Sequence, residues 1–259
     1  MIISFANQKG GVGKTTTTLN IGSYLAKLGK KVLLVDLDPQ GNLSSGVGCS
    51  RSKKDFLGKK NLPTIYDVLV NDKKVSEVFT LTNVDNLHIL PANLELAGAE
   101  IELVSMMSRE TRLKKALEQV SEQYDYLLID CPPSLGLLTV NALAASDNII
   151  IPVQCEYFAL EGLSQLLEMV KIVKNSLNQQ LEILGVALTM YDSRTKLSSL
   201  VAEEVNKFFK DKVFKTIIPR NIKLSEAPSH GKPISEYKPN SAGGKAYEKM
   251  AKEIIKRSK

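Results

Sequence analysis

The 259-residue sequence predicts an α/β fold, with a mostly parallel central sheet carrying helices on both faces. Three observations lead there. Short β-branched runs alternate with helix-length segments along the whole chain. Most of those runs are continuously apolar, as strands covered on both faces are. The first run leads directly into a glycine-rich turn and then a helix-forming stretch, "NQKGGVGKTTTTLN" at residues 7–20.

In chain order, strands are predicted at "IISFA" (2–6), "KVLLVDL" (31–37), "LHIL" (87–90), "YLLID" (126–130), "NIIIPV" (148–153), "ILGVALTM" (183–190) and "VFKTIIP" (213–219). Helices are predicted over 14–28, 113–123, 161–177, 196–209 and 243–256. The segment 43–85, rich in Ser, Lys, Gly and Asn, reads as an insertion with one or two small helices, one of them at "TIYDVLV" (64–70). The expectation is one domain over residues 1–259.

Composition narrows the function classes. Hydrophobic residues make up 43% and charged residues 24%, as in ordinary globular domains. No apolar run reaches the length of a membrane span, and "MIISFANQKGG" has none of the parts of an export signal. Cys49, Cys131 and Cys155 are odd in number and lack paired spacing, so reduced thiols in a cytoplasm are expected. Net charge is +6 but uneven. Residues 193–259 hold 16 Lys+Arg against 7 Asp+Glu, which favours a polyanionic partner, nucleic acid ahead of an anionic membrane. His88 and His230 have no metal-ligand neighbours and are expected in packing or local hydrogen bonds.

The glycine-rich turn carries the clearest chemistry. Gly10, Gly11 and Gly13, with Val12 between them, let backbone N–H groups point at phosphate oxygens, and the following helix N-terminus adds partial positive charge. Lys14 would neutralise β- and γ-phosphates, the Thr15 hydroxyl would bind Mg²⁺, and Thr16 would sit near the α-phosphate. A second lysine, Lys9, stands where such loops usually have their first glycine. In "LLVDLDPQGN", Asp36 and Asp38 alternate at a strand end, so both can face one crevice. In "YDYLLIDCPPS" an apolar strand delivers Asp130 to a place where it can hold the Mg²⁺ shell. Cys131 reads as a small buried hydrophobe.

"KGGVGKTT" resembles the deviant Walker A motif of the ParA/MinD group of P-loop ATPases. That resemblance implies that Lys9 crosses a dimer interface to the partner's nucleotide, and that ATP with Mg²⁺ is the cofactor pair. It also implies that Asp38 orients the attacking water while Asp36 supports Mg²⁺ through water, and that the base lies near "LTMYD" (188–192) and "IPRN" (218–221), where Pro219, Arg220 and Asn221 border the adenine. The stretches "LAGAEIELV", "IDCPPSLGLLTVNAL", "IPVQCEYFALEGLSQLL" and "KTIIPRNIKLSEAPSHGKPI" resemble the chromosome-partitioning ParA branch, in the short form called Soj without a helix-turn-helix domain.

Such proteins are cytoplasmic and nucleoid-associated, bind double-stranded DNA nonspecifically as ATP homodimers, and are released through a ParB-type centromere-binding protein. Arg194 and Lys223 match DNA-contacting positions of the family. Lys196, Lys245, Lys249 and Lys252 are added from charge and helical spacing. Glu156 and Tyr157 fall near the dimer interface by the same resemblance. Two alternatives are a MinD-like membrane-associated positioning ATPase and a cargo-positioning scaffold. The last helix, with Tyr247, Met250, Ala251, Ile254 and Ile255 on one stripe, is expected to pack on the core rather than enter lipid.

Overall fold

Side chains alternate across a strand, so each buried strand here feeds two separate cores. The computed structural model describes residues 1–49, 62–156 and 163–258. Residues 50–61 of the predicted insertion, Tyr157 and the start of the helix predicted from 161 lie outside the described residues. Among these, β1 (Ile2–Phe5), β2 (Val32–Asp36), β3 (Thr80–Leu81), β4 (Leu87–Leu90), β5 (Tyr126–Asp130), β6 (Asn148–Gln154) and β7 (Glu182–Thr189) form one sheet. Their order is β3-β4-β2-β5-β1-β6-β7. Every pairing is parallel except β3 with β4.

Leu33 and Val35 of β2, with Leu127 and Ile129 of β5, point into one core, covered by the helices Leu137–Ala145 and Leu163–Ser176. Val32, Leu34 and Leu128 point into the other, covered by the helices Lys14–Lys27 and Ala242–Arg257. This two-sided burial explains why the strands read as unbroken apolar runs. It also answers the question of the last helix. Tyr247, Met250, Ala251 and Ile254 are all buried, so the apolar stripe is already in use within the fold. Among the described residues no helix is long and apolar enough to cross a membrane.

Two differences from the sequence reading have physical causes. Residues 213–219 are not a sheet strand. They run beside β7 through isolated bridges at Val213 and Pro219. Phe214 and Ile218 donate to the Val186 and Leu188 carbonyls of β7, but between them the Thr216 N–H turns to the Glu253 carboxylate at 3.1 Å, beside the Lys215 N–H at 2.9 Å, which breaks the ladder. The short edge strand β3 was not predicted, because two residues show no periodicity. Within the described part of 43–85 the chain forms the helices Asn42–Gly46 and Ile65–Val70 before reaching β3.

The central position of the β2–β5 pair gives the first test. Leu34 is fully buried, and Leu34→Ala should lower the unfolding free energy in urea by about 3 kcal/mol.

Candidate functional site

β1 is the switch point of the sheet: the chain moves to one side of it for β2 and to the other for β6. Ligands of open α/β sheets bind at such a point, beyond the C-terminal strand ends. The loop 7–13 leaves β1 there. Gly11 (φ +75°) and Gly13 (φ +87°) are left-handed, which side chains resist. The loop is tied to the sheet from both sides. Asn7 accepts the Lys9 N–H at 3.0 Å and donates to the Pro152 carbonyl at 2.7 Å. Thr189 Oγ1 at the end of β7 donates to the Val12 carbonyl at 2.8 Å.

Lys14 Nζ donates to the Lys9 carbonyl at 3.2 Å, and the side chain is 6% exposed. Burial lowers its pKa, against the pull of Asp130, Cys131 and Asp38. Facing it are three buried carboxylates. Parallel pairing places Asp36 of β2 and Asp130 of β5 directly side by side, and Asp38 follows two residues on. Burial pushes Asp36 up to about 6 despite hydrogen bonds from Ser44 and the Asp38 N–H. Burial, then Asp36, raises Asp130 well above the usual carboxylate range, against a hydrogen bond from Thr15 and the charge of Lys14. Burial also raises the Cys131 thiol, which lies in the core as a small buried side chain.

Among the described residues, Asp130 Oδ2 is buried without a hydrogen-bond partner. A divalent cation fits this donor set, since it supplies both the missing partner and the missing positive charge. Among the described residues no three His, Cys, Asp or Glu side chains converge into a cage. That suits Mg²⁺, which takes most of its ligands from phosphate and water.

Beside the loop lies a cleft of about 420 Å³. Pro219, Arg220 and Asn221 line it together with Gly13 and Thr16. Two more walls come from Met190, inside the stretch 188–192 that the resemblance places near the base, and from Tyr247, which sequence reasoning missed. Met190 holds a rare positive φ of 52° for a side-chain-bearing residue. Tyr247 reaches from the last helix, its hydroxyl 3.1 Å from Thr17 Oγ1. The Tyr247 contact leaves no sequence signal, because it joins distant parts of the chain. Lys9 lines a neighbouring groove of about 670 Å³ with Glu156, Asp192, Arg194 and Arg220.

The basic residues lie on the surface in varied company. Arg194 makes a two-pronged pair with Asp192 at 2.9 and 2.7 Å. Lys223 pairs with Glu226 at 2.7 Å, and Lys252 pairs with Glu248. Lys196, Lys245 and Lys249 are exposed. Lys245, Lys249 and Lys252 share one face of the last helix, while Lys196 begins a different helix, Lys196–Phe209. His88 bonds Tyr124 at 2.7 Å, and His230 stacks on Tyr237.

A lysine-bearing phosphate loop with carboxylates on adjacent strand ends defines a P-loop nucleotide hydrolase. Residues 1–183 match the family model described as an AAA domain. The chain is 58% identical to the sporulation initiation inhibitor protein Soj of Bacillus subtilis, over 98% of this chain and 97% of that protein. It is 55% identical to the chromosome-partitioning ATPase Soj of Treponema pallidum, over 98% and 96%. A structure of cobyrinic acid a,c-diamide synthase from Mycobacterium smegmatis, with bound ADP and magnesium, superposes with a TM-score of 0.85 at 38% identity, covering 99% of this chain and 94% of that one. The chain belongs to the Soj/ParA family of chromosome-partitioning ATPases.

The crowded carboxylates have a measurable cost. Asp36, with an ordinary value of 3.8 raised to about 6, keeps its proton in the fold after the unfolded chain has released it. The native state therefore binds more protons between about pH 4 and 6 and loses stability as pH rises through that window. Asp130, raised in the same direction, does likewise. In Mg²⁺-free solution, Asp130→Asn should gain unfolding free energy over the parent by about 1–3 kcal/mol at pH 7 and by less at pH 4. A gain independent of pH in urea titrations would contradict this.

Proposed function

We propose that this chain is a Mg²⁺-ATP-dependent partitioning ATPase, with the whole of residues 1–259 acting as one P-loop domain. Its ATP-bridged homodimer binds double-stranded DNA nonspecifically on the nucleoid in the cytoplasm. A ParB-type, centromere-binding protein stimulates hydrolysis and so releases it. The observation that carries this reading is Lys14 buried against Asp38 and Asp130 behind a left-handed glycine loop. That arrangement sits in a chain similar over nearly its full length to a chromosome-partitioning ATPase.

The residues divide the work as follows. Gly10 to Gly13 cradle phosphates with backbone N–H groups, and Lys14 balances the β- and γ-phosphate charge. Thr15 and Asp130 would hold Mg²⁺, which would supply positive charge to balance that developing in phosphoryl transfer. Asp38 orients the attacking water. The cleft wall at Pro219–Asn221 receives the base. Lys9 donates a charge-assisted contact to the nucleotide of the second protomer, so dimerisation depends on ATP.

Arg194, Lys196, Lys223, Lys245, Lys249 and Lys252 supply phosphate contacts to DNA, and pairing two chains doubles them. Arg194, Lys223 and Lys252 must first exchange or share the carboxylates that now hold them, a small cost for exposed pairs. Slow turnover follows if the DNA-bound state is to persist.

Lys14→Ala should weaken ATP binding by at least about 30-fold, as removal of a buried charge partner does. Asp38→Ala should bind ATP like the parent, lower turnover by about 100-fold and accumulate a dimer in ultracentrifugation. Turnover by Asp38→Ala at the parent rate would refute the assignment of the water-orienting carboxylate. For DNA, Lys249→Ala should reduce the slope of log affinity against log salt by about 0.9 per lost phosphate contact, with no dependence on sequence. An unchanged slope would remove Lys249 from the interface.

A further inference from the structure

The two facing carboxylates, Asp36 and Asp130, are in opposite states. Among the described residues, Asp130 has one oxygen with no partner. Asp36 is more fully engaged: Oδ1 accepts the Asp38 N–H at 3.2 Å, and Oδ2 accepts both the N–H and the hydroxyl of Ser44 at 2.8 and 2.7 Å, which fills three of its roughly four lone-pair sites. A carboxylate so engaged by buried donors is a poor direct ligand, because ligation through Oδ2 would displace bonds that have no water to replace them.

Ser44 is itself held. It is 2% exposed, and its hydroxyl oxygen accepts the Ala92 N–H at 3.0 Å, just beyond the end of β4. One hydroxyl thus joins the end of β2 to the backbone after β4. Gly41, three residues earlier, approaches the same Ala92. It has φ +64°, and a Cβ there would come within 3.1 Å of the Ala92 carbonyl. Asp38 lies between Asp36 and these two contacts, and its Oδ1 accepts the Gln40 N–H at 2.9 Å. The loop 36–44 is therefore pinned at both ends, with Asp38 carried between them.

We infer that Asp36 and Ser44 form a clamp that positions Asp38, and that Asp36 is a positioning residue rather than a direct magnesium ligand. This adds a role to the one expected for Asp36 from family resemblance, and it rests on the ATPase reading of the same site. Ser44 has no place in that expectation, since a serine eight residues from its acceptor gives no local pattern.

The test uses the full chain, with single-turnover ATP hydrolysis and the Mg²⁺ dependence of binding to a fluorescent ATP analogue as separate readouts. Thermal unfolding checks the fold. Ser44→Ala should slow hydrolysis by about tenfold, the lower range for loss of a supporting hydrogen bond. Analogue affinity and the Mg²⁺ half-saturation should stay within about twofold, the pattern of a loss confined to the chemical step. Ser44→Thr keeps the hydroxyl and should stay within about threefold of the parent rate. Gly41→Ala loosens the loop without touching Asp36 and carries the same expectation as Ser44→Ala, should that variant lose its folding transition.

Parent-rate hydrolysis by Ser44→Ala or Gly41→Ala would overturn the clamp. A roughly tenfold rise in the Mg²⁺ half-saturation of Ser44→Ala would make Asp36 a direct ligand of the ion. Failure of the unaltered chain to bind the analogue with Mg²⁺ would instead overturn the ATPase reading itself.

Discussion

Three carboxylates and one ammonium group share a buried crevice at the C-terminal edge of this sheet, and much of the remaining structure serves that concentration of charge. Asp36 and Asp130 are fully buried and lie in register on neighbouring strands. Their closeness is not adjustable. Parallel pairing of β2 with β5 along five residues sets it, and the apolar faces of both strands lock that register into two cores. A buried charge without adequate compensation is expensive. Lys14 alone cannot balance the group, and the orphaned oxygen of Asp130 marks where compensation is missing. The site is stable as part of a large apolar structure and completed by what it binds, the usual relation between a functional site and its scaffold.

The helix behind the phosphate loop connects this crevice to the rest of the molecule. From Lys14–Lys27, Thr17 bonds Tyr247 of the last helix, Asn20 accepts the Ile234 N–H at 2.7 Å, and Ser23 bonds Ser235. Lys27 pairs with Glu236 at 2.7 Å. Gly48, just past the helix that presents Ser44, abuts Gly231, where an added Cβ would meet the other glycine's Cα at 2.9 Å. The segments so held, 221–237 and 242–257, carry Lys223 and the lysine face of the last helix. Nucleotide site and basic surface are thus joined by direct bonds rather than by distance alone. Each of those bonds is a place where a change on one side can be felt on the other.

How much of this could be read in advance depended on whether a signal was local. The runs at 32–36, 126–130 and 148–153 announced strands because both faces are buried. The loop announced itself because Gly11 and Gly13 need left-handed backbone beside a strand and a helix. Asp36, Asp38 and Asp130 stood out as charges ending apolar runs. The helix Leu137–Ala145 was passed over because "LLTVNALAA" is apolar on most sides and so has no helical stripe. Residues 213–219 looked like a strand because β-branched residues dominate, whereas Glu253, distant in sequence, takes the Thr216 N–H and so interrupts the ladder that Phe214 and Ile218 make with β7. Tyr247 was placed correctly in the core, but its hydroxyl partner lies 230 residues away. Asn7, Ser44 and the Thr189 bond to the Val12 carbonyl share that limitation: they exist only once the sheet is assembled.

The most direct test of the central electrostatic claim is to count the ion. Mn²⁺ can replace Mg²⁺ and be titrated into the nucleotide-loaded chain by electron paramagnetic resonance. One tightly bound Mn²⁺ per chain is expected, with Asp130→Asn weakening that binding by about tenfold or more. Unchanged Mn²⁺ affinity in Asp130→Asn would mean that the crevice balances its charge in some other way, and the account built on it would fail.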